Sequence, residues 1–172
     1  MMAISIQQKE FFIRDMGPDD LDEVGSIEQI ASAHPWRRSL FQSCFDGGYH
    51  CMVGCVGDTV VGFGILSLAA SEAHLQNIAV SPSWQGKGYG RELLESIIDQ
   101  ADQLDARVIF LEVSVENSVA LSLYIAHGFR EIGIRKNYYT TPEGKKNARI
   151  MRFDFSKTSG LEVLTKMIRR TD

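Results

Sequence analysis

The chain has 172 residues, a length that suits one domain of roughly 100–200 residues, and its 44% hydrophobic and 23% charged content suits a packed globular core. A formal net charge of -4 supplies no basic field for nucleic acid, and the longest apolar stretch, Val60–Ala70, is broken by glycines and far short of a membrane span. Met1–Gln8 lacks a charged segment leading into an apolar run, so no secretion signal is read and a cytoplasmic setting is expected.

Phe11–Asp15 reads as a short strand. Pro18 suits the first turn of a helix over roughly 18–32, with Asp19, Asp20, Asp22 and Glu23 favouring its N-terminus and Leu21, Val24, Glu28 and Ala31 at helical spacing. His34-Pro35-Trp36 ends it, and Ser39–Phe45 predicts a short second helix closed by Gly47-Gly48. Strands follow at about 50–56 and 59–69, joined by Gly57-Asp58, a two-residue hairpin signal. The cysteines Cys44, Cys51 and Cys55 are odd in number and match no zinc spacing, so they read as small buried thiols.

His74–Val80 predicts another strand, closed by Ser81-Pro82. The clearest helix comes next, with Leu93, Leu94, Ile97, Ile98, Ala101 and Leu104 along one stripe. Val108–Val115 is apolar on both faces, the pattern of a central buried strand. A helix is expected over about 118–127, with Asn117 or Ser118 as its cap and Gly128 at its C-terminal position. Phe129–Thr140 and Asn147–Phe155 read as strands around Thr141-Pro142-Glu143-Gly144. The sum is an α/β (α+β) domain over 11–155, with terminal extensions at 1–10 and 156–172. In the second of these, Leu161, Leu164 and Ile168 suggest a short helix with a basic end.

The segment Asn77–Arg91 carries the chemistry. Gly86, Gly88 and Gly90 alternate between a strand and a strong helix. Glycine permits close backbone approach, successive N–H groups converge on an anion, and the helix dipole adds positive potential. A phosphate-bearing ligand is the natural occupant. A dinucleotide fingerprint requires glycine where Arg91 stands, and a Walker loop requires Ser or Thr where Gly88 stands.

Gln85-Gly86-Lys87-Gly88-Tyr89-Gly90 resembles the acetyl-CoA motif of the GNAT superfamily of N-acetyltransferases. Asn117-Ser118-Val119-Ala120-Leu121-Ser122-Leu123-Tyr124, continuing to Gly128-Phe129, resembles that superfamily's second segment. The resemblance implies the GNAT fold, a mixed sheet of about six to seven strands flanked by about four helices. It implies acetyl-CoA as co-substrate, with no metal. Ile78, Ala79 and Val80 would meet the pantetheine amides, Gln85–Gly90 (Gln85, Gly86, Lys87, Gly88, Tyr89 and Gly90) the pyrophosphate, and Asn117 the cofactor arm. Ile27-Glu28-Gln29, His34-Pro35-Trp36, Asn77-Ile78-Ala79-Val80 and Arg135-Lys136-Asn137-Tyr138-Tyr139 resemble the ribosomal-protein-alanine branch. That implies a protein N-terminus as acceptor, with Glu28, Asn77, Tyr138 and Tyr139 on the substrate side. The Ser43–Cys55 region and the Arg37-Arg38 pair depart from that branch's pattern.

Glu112 stands in the apolar run Val108–Val113, where desolvation would raise its pKa toward that of a useful general base; a structural salt bridge is the other reading. Tyr124, a phenol with an ordinary pKa near ~10, is the expected acid, and His127 on the same face is read as structural. Direct transfer in a ternary complex follows from these roles. A small-molecule amine as acceptor, or a non-catalytic acyl-CoA-binding module, remain the alternatives. No nucleic-acid or membrane partner is expected, and the chain is expected to be a monomer or weak dimer.

Overall fold

In a computed structural model the described residues are 10–156, so the C-terminal stripe at Leu161, Leu164 and Ile168 lies outside them. Strand β1 (Phe11–Asp15) leads through a one-turn helix at Pro18–Asp20 into α1 (Leu21–Ala31). The acidic start splits the expected helix in two. Asp20 turns back to accept from Gly17 N at 2.8 Å and pairs with Arg14 through both oxygens, at 2.7 and 2.9 Å. Next come α2 (Arg38–Asp46), β2 (His50–Val56), β3 (Thr59–Ala69) and β4 (Glu72–Val80). A second one-turn helix (Pro82–Trp84) precedes α3 (Tyr89–Gln103), β5 (Val108–Ser114), α4 (Ser118–Ala126), β6 (Arg130–Thr141) and β7 (Gly144–Asp154).

All seven strands join one sheet in the order β1-β2-β3-β4-β5-β7-β6. Every pairing is antiparallel except β4 with β5. The β3–β4 hairpin turns at Ala70 and Ser71, both at positive φ, so the turn lacks the Gly or Asn that normally announces it. Strand β4 therefore begins two residues before the expected His74.

The two faces of the sheet carry separate cores. Val53, Phe63 and Ile65 bury against α1 and α2, and the three buried, free cysteines sit in that layer. Met52, Leu66 and Leu75 bury against Leu93, Leu94 and Ile97 of α3. Helix α3 lies close to the sheet because the positions beneath it are glycines. A Cβ on Gly62 would come within 2.8 Å of the Ala79 carbonyl oxygen and 2.9 Å of Leu93 Cδ1, and one on Gly64 within 2.6 Å of Ile97 Cδ1.

The parallel β4–β5 pair holds only from Glu72/Val108 to Leu75/Leu111. At that point the β3–β4 register slips, placing Gln76 as an extra residue opposite Ile65/Leu66. A bulge bends its strand and increases the twist, and beyond it β4 and β5 part. Strand β5 is consequently not buried on both faces as its sequence suggested. Phe110, Glu112 and Ser114 are half-exposed along the side facing the opening.

Gly62→Ala should lower stability by about 1–3 kcal/mol, since the new methyl meets backbone oxygen as well as a side chain. Gly25→Ala, in α1 with nothing within 4 Å, should raise stability by about 0.5–1 kcal/mol. Urea midpoints at unchanged slope report both.

Candidate active site

The glycine loop lies between the end of β4 and the start of α3. Gly86 and Gly88 have φ of 76° and 90°, left-handed values that a side chain resists, and open space lies where their Cβ atoms would be. Gly90, already inside α3, has no such need; a Cβ there would only touch Val80 Cγ2 at 3.8 Å. Arg91 N and Glu92 N bond back to Gly88 O, at 3.0 and 3.1 Å. Among the described residues, the amides of Gly86, Lys87, Gly88, Tyr89 and Gly90 have no acceptor. A run of free N–H groups at a helix N-terminus is what a pyrophosphate requires.

The side chains of this loop do other work. Gln85 Nε2 donates to Val80 O at 2.9 Å, holding the loop to the end of β4. Lys87 Nζ lies 4.6 Å from the centre of the Trp84 ring, and Tyr89 stacks on Phe11 at 4.2 Å. An anion held at these positions would therefore meet mainly backbone N–H groups. Ile78, Ala79 and Val80 lie on β4 beyond its last β5 partner, so their backbone on that side has no neighbouring strand. Asn117 caps α4, its Oδ1 accepting from Ala120 N at 3.1 Å. It is exposed, and its amide nitrogen is left for other partners.

Where β4 and β5 separate, a cleft of about 380 Å³ opens, lined by Trp36, His74, Glu112, Ile132, Tyr138 and Tyr139 among others. Glu112 is not the isolated carboxylate that its apolar strand suggested. Its side chain is 26% exposed and its Oε1 accepts from Arg135 Nη1 at 2.6 Å. Arg135 also lies over the Tyr138 ring, 4.7 Å from its centre. The two tyrosines reach the cleft because β6 carries extra residues between Arg135 and Tyr139, with Asn137 at φ 56°. Asn147 Oδ1 accepts from Asn137 N at 3.0 Å and pins this bulge. A hydrogen bond to Glu112, then burial, pushes the Tyr138 phenol up to about 12, and burial followed by the Glu112 charge raises Tyr139.

Tyr124 is buried at 6% exposure, against Phe129. Burial, and secondarily the Tyr139 phenol, raises its pKa well above the ordinary range, and its hydroxyl has no hydrogen-bond partner among the described residues. It is a spare, firmly protonated donor. His127 has the structural place expected of it, with Nδ1 2.8 Å from Leu123 O and Nε2 3.2 Å from Glu95 Oε1.

Two expected substrate contacts are not brought to the cleft wall. Asn77 is half-buried within β4. Glu28 is 1% exposed on α1, its Oε1 accepting from Trp36 N at 3.1 Å. Conversely, the Arg135–Glu112 pair and the stacking of His34 on Tyr139, at 5.1 Å, could not be read from one-dimensional spacing. Both join segments that meet only through the fold.

The acetyltransferase (GNAT) family model matches residues 14–129. This chain belongs to the GNAT family. As a GNAT acetyltransferase it is 37% identical to the [ribosomal protein bS18]-alanine N-acetyltransferase of Escherichia coli K12, over 84% of this chain and 97% of that one. It is 38% identical to the enzyme of the same name from Salmonella typhimurium, over 80% and 93% of the two chains. The crystal structure of the ribosomal-protein-S18-alanine N-acetyltransferase from Escherichia coli superposes with a TM-score of 0.82 at 35% identity, covering 87% and 97%. GNAT enzymes use acetyl-CoA, and the free amides of the Gly86–Gly90 loop suit its pyrophosphate.

Gly88→Val should weaken acetyl-CoA binding at least tenfold by calorimetry. Gly48→Val is the control, because Gly48 has a comparable φ of 73° and equally open space away from the loop. Equal affinity losses in the two variants would remove the loop from cofactor binding.

Proposed function

We propose that this GNAT enzyme acetylates the α-amine of a protein N-terminus, of the ribosomal-protein-alanine type, in a cytoplasmic setting. The observation that carries the reading is the cleft itself. Glu112, Tyr138 and Tyr139 line an opening at the split between β4 and β5, beside the free edge of β4 that leads to the phosphate loop. The relatives' names, which specify an alanine of ribosomal protein bS18, support the choice of acceptor.

When bound, acetyl-CoA supplies an acetyl group activated as a thioester, open to direct displacement by a neutral amine. Gly86–Gly90 hold its pyrophosphate, Ile78–Val80 its pantetheine arm, and Asn117 adds a side-chain contact. Tyr138 and Tyr139 grip the acceptor. Glu112 takes the proton that the amine nitrogen sheds as the C–N bond replaces the C–S bond. An α-amine, with a pKa of about 7.7–8.0, costs on the order of 1 kcal/mol to deprotonate at pH 7, against roughly 4–5 kcal/mol for lysine. A modest base therefore suffices. Tyr124 donates to the departing sulfur. A thiol's pKa of about 8.5 makes the thiolate a weak base toward so strongly held a proton. Part of the Tyr124 contribution is thus a hydrogen bond to developing charge.

Tyr124→Phe removes one oxygen from a packed site. Acetyl-CoA affinity should hold within about twofold while kcat falls roughly ten- to ten-thousand-fold. Because burial raises this phenol, the wild-type kcat should show no decline from Tyr124 ionisation as pH passes the usual value of about 10. A kcat near wild type in Tyr124→Phe would reduce the residue to packing.

The acceptor is tested with two peptides of one sequence beginning with alanine, each with an internal lysine, one N-terminally free and one blocked. Mass spectrometry should find acetyl only on the free α-amine. Equal modification of both would identify a lysine acceptor. Modification of neither, with free polyamines acetylated instead, would identify a small-molecule enzyme.

A further inference from the structure

Glu28 is the one charged residue in the chain's described interior with a side-chain oxygen left unpaired. The residue is 1% exposed, Oε2 has no hydrogen-bond partner, and no cation pairs with the carboxylate among the described residues. It shares the buried positions of α1 with Leu21, Val24 and Ile27. A polar group in such a place is costly unless something is gained by its presence.

The contacts it does make concern a single loop. Ser32 N donates to the Glu28 carbonyl at 3.0 Å, and Trp36 N donates to Oε1 at 3.1 Å. One residue thus holds both ends of the α1–α2 connection. Within that connection His34 N donates to Ser32 Oγ at 3.1 Å, and the His34 ring stacks on Tyr139 at 5.1 Å. Trp36 lines the cleft directly and leans on Phe41 with ring centres 5.3 Å apart. Through Trp36 the loop forms part of the cleft wall, and it has no strand or helix of its own to fix its shape.

We propose that Glu28 is a positioning residue. From beneath the surface it sets the α1–α2 wall against which the acceptor binds, through the hydrogen bond from Trp36 N to Oε1, and it does not touch the acceptor. The proposal rests on the acceptor site assigned above. It differs from direct recognition of the acceptor's amine, which would require the charge and not merely the oxygen.

Two substitutions separate the possibilities. Glu28→Met keeps the volume, suits the apolar surroundings and removes the acceptor atom. Glu28→Gln keeps an oxygen for Trp36 N but places an amide donor where Oε2 has no partner. The proposal therefore expects opposite rankings in two assays. Glu28→Met should match or exceed the wild-type melting temperature, yet raise the acceptor KM about tenfold with kcat and acetyl-CoA Kd little changed, the pattern for lost uniform binding. Its Trp36 amide should exchange with solvent at least tenfold faster than in wild type. Glu28→Gln should lose a few degrees of melting temperature but keep the acceptor KM and Trp36 protection.

Glu28→Met with a wild-type acceptor KM overturns the proposal. So does a Glu28→Gln as impaired in acceptor KM as Glu28→Met, which would assign the role to charge, or a Glu28→Met that does not fold, which would assign it to stability. Failure of the wild type to acetylate any α-amine peptide is a separate result and counts against the acceptor assignment. Trp36 exchange can still be read in that case.

Discussion

The site exists because two parallel strands begin as neighbours and do not stay so. From Glu72/Val108 to Leu75/Leu111, β4 and β5 are hydrogen-bonded; at that point Gln76 stands as an extra residue in the β3–β4 register, and the β4–β5 pairing ends. Backbone amides and carbonyls along the inner edge of β4 are thereby released from the sheet without being exposed on an outer edge. The opposite lip carries Glu112, held by Arg135 from β6 across the neighbouring β7. Had the pairing continued through Val80, the same residues would form an ordinary buried parallel strand pair, with no opening for a ligand.

The seating of α3 gives that opening its polarity. Gly62 and Gly64 leave the sheet without side chains under Leu93 and Ile97, and the helix settles close to β3. Its N-terminus then projects unbonded amides just past the end of β4. A helix held a methyl's width further out would carry the same dipole to a different place. Buried packing on one side of the sheet and a run of free amides at its end are thus one arrangement, fixed by the absence of Cβ atoms at a few positions.

Legibility in the sequence followed the range of the interaction. The glycine loop, the α3 stripe and the Asn117 cap are local, and each lies where the spacing placed it, whereas the last hairpin turns more tightly than expected, at Pro142-Glu143, so that β7 begins at Gly144 and not at Asn147. The Ala70-Ser71 turn was hidden because its residues are poor advertisements for positive φ. The β7 insertion between β5 and β6 left no local signal. Glu112 shows the limit most clearly: its flanks argued for a desolvated carboxylate, with a structural salt bridge as the other reading, and the structure shows a carboxylate paired with Arg135 from β6, a partner that the spacing did not name. Glu28 erred in the opposite sense, since a helical residue matched to the acceptor side lies under the wall instead of on it. In both cases the environment differs from the expected one, because it is built from segments far apart in the chain.

Under the proposed function, cofactor and acceptor meet at the β4–β5 split. The most direct measurement is a crystal structure with a conjugate joining coenzyme A to the α-nitrogen of an alanine-initiated peptide. Pyrophosphate oxygens should lie on the amides of Gly86–Gly90, the linking atoms between Glu112 and Tyr124, and the peptide between Trp36 and Tyr139. A conjugate bound with its peptide elsewhere, or a split closed by continued β4–β5 pairing through Val80, would contradict it.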